Sequence, residues 1–210
     1  MPSLEYCLGE VRHLSERYRA GGPDTIHAFR DLASFLLTLT IAAPGNTLRL
    51  ASRPPGEARF VLGGMGGPRD PLRLNDGHYL RLSLTLYLDP EDRHFLKVER
   101  AGYQYQMDRA GDRWIFRYDY LRDPPGHYPP AHVQVRGTAL EDEALPGSTL
   151  LQDIHFPTGR VSLEAVILLL ADEFGTPCHE GPEVWRPVLA ASEREFLHIA
   201  HRPLSGPEAA

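Results

Sequence analysis

The run YLRLSLTLYL, residues 79–88, decides the fold. Leu80, Leu82, Leu84, Leu86 and Leu88 alternate with Tyr79, Arg81, Ser83, Thr85 and Tyr87, and a strict period of two marks a strand with one buried face. Five leucines on one side need a cover, so the run predicts a central strand packed beneath helices. Downstream, Asp89-Pro90-Glu91-Asp92 makes a turn, and a long strand is expected from Phe95 to Met107 with a bulge at Gly102. Asp108–Asp112 reads as the next hairpin turn and Trp114–Leu121 as a third strand. Pro124-Pro125-Gly126 interrupts, Ala131–Arg136 forms a fourth strand, and a fifth is expected around Gln152–Phe156. Connections this short force antiparallel neighbours, because parallel strands need long crossovers.

Working upstream, the turn-rich stretch before Asp76 holds two short strands, Leu48–Ala51 and Arg59–Leu62. The glycine pairs Gly63-Gly64 and Gly66-Gly67 lack a following GK[ST], so they read as a hairpin loop and not as a phosphate cradle. Leu4, Leu8, Val11, Leu14 and Tyr18 recur at helical spacing, which predicts a helix over 3–20 closed by Gly21-Gly22. Asp24 is expected to cap a second helix bearing Ile26, Phe29, Ala33, Leu36 and Leu37, buried towards Ile41. Towards the other end, Ser162 caps a helix with the stripe Leu163, Val166, Ile167, Leu170 and Phe174, which Gly175 and Pro177 stop. A last helix from Glu183 to Ala200 carries Val184, Trp185, Val188, Leu189, Phe196 and Ile199. The class is therefore α+β: a central antiparallel meander of four to six strands with helices at both ends, packed mainly on one face. Along the chain this gives an N-terminal helical hairpin (1–45), a sheet with a turn-rich lead-in (46–158) and C-terminal helices (159–202), all in a single compact domain.

Composition narrows the function. With 210 residues, 42% hydrophobic and 24% charged, the chain can build an ordinary core. A net charge of -6 argues against coating nucleic acid by bulk charge. Cys7 and Cys178 are the only cysteines and form no CxxC pair, which excludes a disulfide scaffold and a cysteine-rich zinc site. The ten histidines do not fall at ligand spacing: His127/His132 and His198/His201 lack a carboxylate or cysteine partner, and Cys178-His179-Glu180 is a single trio. No metal and no cofactor are expected. The start of the chain has no signal-peptide core and no apolar run is long enough to span a bilayer, so a cytoplasmic protein with no membrane partner is expected.

Strand alternation then sorts the central side chains. Arg117 and Asp119 share one side of the third strand, opposite Trp114, Phe116, Tyr118 and Tyr120; His132, Gln134 and Arg136 share one side of the fourth. If the polar sides coincide, His132 is a candidate base or acid and Asp119 its orienting carboxylate. Arg117, Gln134 and Arg136 would then hold an anionic substrate, with His155 joining from the next strand. The structural alternative is that the solvent face of an antiparallel sheet is polar anyway and that Arg–Asp pairs serve pairing alone. Tyr103, Tyr105, Trp114, Tyr118, Tyr120 and Tyr128 could stack bases, or they are simply strand formers.

The run WIFRYDY (114–120), followed by PPAHVQV (129–135), resembles the TumE-type proteins of bacterial toxin–antitoxin loci, in which an aromatic-R-Y-D strand precedes a proline-rich H-x-H strand. The resemblance covers about residues 78–175. It implies a compact sheet-and-helix toxin module and points to Arg117, Tyr118, Asp119 and His132 as the matching positions, which adds Tyr118 to the catalytic candidates. The chain departs from the pattern at Gln134, where the second histidine stands in the family, and in about 75 additional N-terminal residues. Two functions follow. The first is a bacterial toxin–antitoxin or host-defence protein acting on RNA as a metal-independent ribonuclease, with His132 moving the proton, Arg117 on a phosphate and Asp119 orienting. The second is a non-enzymatic interaction module, antitoxin-like or a complex subunit, that binds a protein partner encoded nearby. A homodimer is compatible with either, and Gln134 in place of histidine favours the second.

Overall fold

The computed structural model describes residues 2–52, 59–89, 96–125, 129–138 and 150–200. Its strands are β1 (Arg49–Ser52), β2 (Arg59–Gly63), β3 (Leu72–Arg73), β4 (Tyr79–Leu88), β5 (Leu96–Gln106), β6 (Trp114–Leu121), β7 (Ala131–Val135) and β8 (Phe156–Pro157). Its helices are α1 (Leu4–Ala20), α2 (Pro23–Leu39), α3 (Leu163–Asp172) and α4 (Pro182–Ala200). The strands form one antiparallel open sheet in the order β1-β2-β4-β5-β6-β7-β8, with β3 beside β4. The α+β class with a meander sheet stands, and β3 and the two-residue β8 carry the strand count to eight, above the expected four to six.

β4 organises this sheet. Leu80, Leu82 and Leu86 are fully buried and Leu84 nearly so, while Tyr79, Arg81 and Ser83 on the other side are half-buried. β5 and β6 continue the leucine side in register: Leu82 faces Tyr103 and Tyr103 faces Tyr118, while Leu80 faces Tyr105 and Tyr105 faces Phe116. The C-terminal segments close over that face. Tyr118 Oη accepts the Val161 N–H at 2.9 Å and donates to the Gly159 carbonyl at 3.2 Å, and the Phe174 ring meets Tyr105 at 5.0 Å and Phe116 at 5.6 Å. The phenylalanine therefore packs on the sheet from just beyond α3, while staying 40% exposed.

Local chemistry sets the ends of the helices. Ser3 Oγ caps α1 by accepting the Tyr6 N–H at 3.2 Å, and Ser162 Oγ caps α3 by accepting the Ala165 N–H at 3.0 Å. α2 departs from expectation: it begins at Pro23, whose ring presets the first helical φ, and Gly22 turns the chain into it at φ 73°. Asp24 is then inside the first turn, where it receives Arg17 Nη2 at 2.8 Å instead of capping. Leu163, Val166, Ile167 and Leu170 are buried as the stripe requires, and so is Glu164, which the stripe does not foresee.

Two further local expectations are corrected. The bulge in β5 lies at Glu99, between the pairs Thr85–Arg100 and Leu86–Val98, and Gly102 is in plain register with Ser83 and Asp119. A second irregularity falls at Ile115 in β6. The expected fifth strand is instead a 3-10 turn over Leu151–Asp153 followed by β8. Expectations that rest on His127, Tyr128 and the side chains of Phe196, His198, Ile199 and His201 lie outside the described residues. Among the described residues no helix is long and apolar enough to cross a membrane.

Because a carboxylate at Leu84 would be placed beneath the helices without a partner, Leu84→Asp is expected to unfold the protein; a soluble variant with an unchanged melting midpoint in circular dichroism would contradict the face assignment. Leu170→Ala, a truncation at a fully buried position, is expected to cost about 2–5 kcal/mol in chemical denaturation.

Candidate functional site

The side of the sheet away from the leucines carries two cross-strand rows. One runs Arg81–Gln104–Arg117–Gln134 and the next Ser83–Gly102–Asp119–His132, each residue directly opposite its neighbour on the adjoining strand. Arg117, Asp119, His132 and Gln134 thus share one face, as alternation requires. Gly102 leaves the floor of the second row bare of any side chain between Ser83 and Asp119.

What these side chains do there is mostly to bind one another. Arg117 Nε donates to Asp119 Oδ2 at 2.5 Å and its Nη2 to Gln134 Oε1 at 2.7 Å. Gln134 Nε2 in turn donates to the Gln152 carbonyl at 2.9 Å. On the other half of the row, Arg81 Nη2 donates to Gln104 Oε1 at 2.7 Å, Gln104 Nε2 to Gln106 Oε1 at 2.8 Å, and Gln106 Nε2 to the Asp108 carbonyl at 2.7 Å. These chains satisfy amides that are nearly buried on a nominally open face: Gln104 is 4% exposed and Gln106 1%. The Arg117 and Asp119 side chains are 40% and 34% exposed, where such pairs contribute only about 0–1 kcal/mol. Its consequence is occupancy: two edges of the guanidinium already have partners.

His132 is 8% exposed, and its Nδ1 lies 3.2 Å from the Pro129 carbonyl, so a backbone group and not Asp119 orients the ring. The His155 ring packs on it with centroids 4.3 Å apart and an interplanar angle of 60°. Burial first, then His132 and Arg117, push the His155 imidazole below its ordinary value, so it is neutral near pH 7. Arg136 turns towards the β5–β6 hairpin and donates to the Asp112 carbonyl.

Tyr118, the remaining sequence candidate, is on the leucine face, 3% exposed and committed to Val161 and Gly159, so it cannot reach His132 or Asp119. The same face takes Tyr103 and Tyr105, which are buried and so cannot stack bases, while Trp114 and Tyr120 stay half-buried.

Two groupings escaped sequence reading. Arg81 is half-buried, its guanidinium bonds to a neutral amide, and no carboxylate pairs with it among the described residues. Burial, together with Arg117 and Arg69 and against Asp119, lowers its basicity, although it stays cationic at neutral pH. At the end of the sheet, Asp76 collects three groups: Thr176 Oγ1 donates to Oδ2 at 2.8 Å, Tyr105 Oη to Oδ2 at 3.0 Å, and the His78 N–H to Oδ1 at 2.8 Å. His78 Nδ1 completes the cluster 2.6 Å from Tyr105 Oη. The Asp76-Gly77 turn signal marks the first of these residues, but nothing marks Thr176, 100 positions away.

Among the described residues no group of three or more His, Cys, Asp and Glu side chains is disposed to hold a metal ion. Compared with known proteins, the chain matches no family model, no curated protein and no solved structure.

Asp76 yields a pH prediction. Burial works to raise its carboxyl, but the hydrogen bonds from Thr176, His78 and Tyr105 outweigh it and hold the group below its ordinary value. The stabilisation is therefore complete above the unfolded-state value, about 3.9, and disappears as the pH falls through the lower folded-state value. Asp76→Ala is expected to cost about 1.5–3 kcal/mol at neutral pH, as loss of hydrogen bonds to an ionised group does. In urea titrations the gap to wild type should close on acidification, and a gap independent of pH would refute the role given to the carboxylate.

Proposed function

We propose that this protein is a non-enzymatic interaction module of a bacterial toxin–antitoxin or host-defence system, and that the polar face of its sheet receives an acidic stretch of a protein partner. The observation that carries this reading is the internal closure of the row: Arg117 is held by Asp119 and Gln134, and the His132 ring is capped by the Pro129 carbonyl. A proton-transfer site needs its base and its cation turned towards substrate. A docking face needs only a surviving charge, and Arg81 supplies it beside Arg69 and Arg117. Gly102 brings no side chain of its own into this face, so the approach to Arg81 is bounded by Ser83 and by the Asp119 carboxylate that leans over the glycine. The resemblance of residues 114–135 to TumE-type proteins supports the toxin–antitoxin setting, with an antitoxin-like or complex-subunit role inside a cell.

A second reading, a metal-independent ribonuclease, is favoured by one observation: His155 stands against His132 at 4.3 Å and supplies a second histidine where the sequence motif has Gln134. A neutral imidazole beside another could share acid and base duties.

Fluorescence anisotropy with a polyglutamate peptide and with a single-stranded oligoribonucleotide separates the two. The module reading expects peptide binding that weakens at least about tenfold in Arg81→Gln, as loss of a charge-assisted hydrogen bond does, with the RNA left intact. RNA cleavage in the presence of a chelator, abolished in His132→Ala, would overturn it in favour of the ribonuclease, and failure to bind the peptide would remove the docking face.

A further inference from the structure

A second polar locus lies on the opposite side of the sheet, inside the protein. Between the helices and the leucine face there is a cavity of about 80 Å³, several times the roughly 10–15 Å³ that one water needs on the same measure. Most of its wall is apolar, from Phe29, Leu36, Leu84, Val98 and Leu163. Its polar groups do not form a closed set. Ser15 is 5% exposed and borders the cavity, and its buried Oγ has no hydrogen-bond partner among the described residues. Glu164 is also 5% exposed; its carboxyl accepts the Ser192 hydroxyl at 2.5 Å and further hydrogen bonds from Ser162 and its own backbone N–H, without a cationic partner among the described residues. A hydroxyl without a partner and a hydrogen-bonded carboxyl without a counter-charge in one apolar chamber are both costly, so the chamber suits a cationic donor that would engage both.

We propose that this cavity binds a small primary amine with an apolar body, its ammonium held by the Glu164 carboxylate and the Ser15 hydroxyl and its hydrocarbon part lying against Leu36, Leu84 and Val98. An ammonium offers three donors and no acceptor, which suits two oxygen acceptors. The charges around Glu164 point the same way. From α4 it faces Glu193, which accepts the Ser162 hydroxyl at 3.1 Å, and Glu195, which is paired with Arg19 of α1. β5 contributes Tyr103, whose phenol burial pushes up and keeps neutral. Arg160 also borders the cavity, with its guanidinium 5.0 Å from the centroid of the Tyr120 ring, and it makes a carboxylate-headed molecule the competing occupant.

Binding has a proton signature. Burial raises the Glu164 carboxyl above its ordinary value, so the empty site holds it protonated to a higher pH than an exposed glutamate. An incoming ammonium needs the carboxylate, so Glu164 passes its proton to the buffer, and amine affinity rises as the pH climbs through that raised value.

The test is titration calorimetry of the full chain with hexylamine, hexanol and hexanoate, in two buffers of different ionisation heat at a series of pH values from acid to neutral, so that proton release is sought across the range. Hexylamine is expected to bind at least about tenfold tighter than either analogue, with a buffer-dependent heat that reports proton release. Glu164→Gln, which mimics the protonated acid, should abolish both the preference and the proton release while keeping the melting midpoint. Ser15→Ala should weaken the amine alone. Tightest binding by hexanoate would assign the head group to Arg160 and overturn the proposal. So would an absence of binding by all three, which would leave a water-filled cavity only, or amine binding in wild type without proton release.

Discussion

The rest of the structure depends on the alternation along β4. With side chains at period two, a slip of one residue would drive Arg81 and Ser83 under the helices and four buried leucines onto the opposite face. Each buried leucine contributes about 1.5–3 kcal/mol, far more than any exposed ion pair on the polar face, so the leucines set the register and the polar residues accept it. The pairing carries that decision outwards: Leu82 places Tyr103 on the helix side, Tyr103 places Tyr118, and Tyr118 places Val133. Arg117, Asp119, His132 and Gln134 meet on the far side as a by-product of hydrophobic packing.

That dependence explains what was legible in the sequence. β4, β6 and the Ser162 cap could be read because their signals are local, a period of two or a hydroxyl three residues before its N–H. Parity alone pairs Arg117 with Asp119 and His132 with Gln134 within their strands, whereas the coincidence of the two sides is set by the β6–β7 register. Parity also put Tyr118 on the other side, and the motif resemblance pulled it into the site against that evidence; its burial against Val161 upholds parity. Glycine often marks a bulge, so the local signal points to Gly102, whereas the extra residue is Glu99, an ordinary strand position where only the competing registers of β4 and β5 decide. β3 and β8, two residues each, exist through pairing and have no periodicity of their own. The hydrogen-bond partners of Arg117, the capping of His132 by a carbonyl, and the tie between Asp76 and Thr176 all depend on rotamers and on long-range closure that no local pattern encodes.

The two faces handle buried polarity differently. On the sheet's polar face, glutamines pass hydrogen bonds along to backbone carbonyls, and the row is satisfied without outside help. Such a network rigidifies a surface, and it engages the functional groups that catalysis would need. Beneath the helices, the Ser15 hydroxyl stands in an apolar chamber without a hydrogen-bond partner and the Glu164 carboxyl without a counter-charge among the described residues. Satisfied polarity accordingly marks the open face of the sheet, where Arg81 is the guanidinium without a carboxylate among the described residues, and incomplete polarity marks the interior beneath the helices.

The most direct test of this account is the Arg117 Nε–H resonance in a proton–nitrogen spectrum of the labelled protein at neutral pH. A guanidinium closed on Asp119 and Gln134 predicts a resolved, downfield Nε–H that exchanges slowly with water and does not move when a nucleoside monophosphate is added. An averaged, rapidly exchanging signal like that of an exposed arginine, or one that shifts on titration with the nucleotide, would contradict the closed row and restore Arg117 as a phosphate ligand.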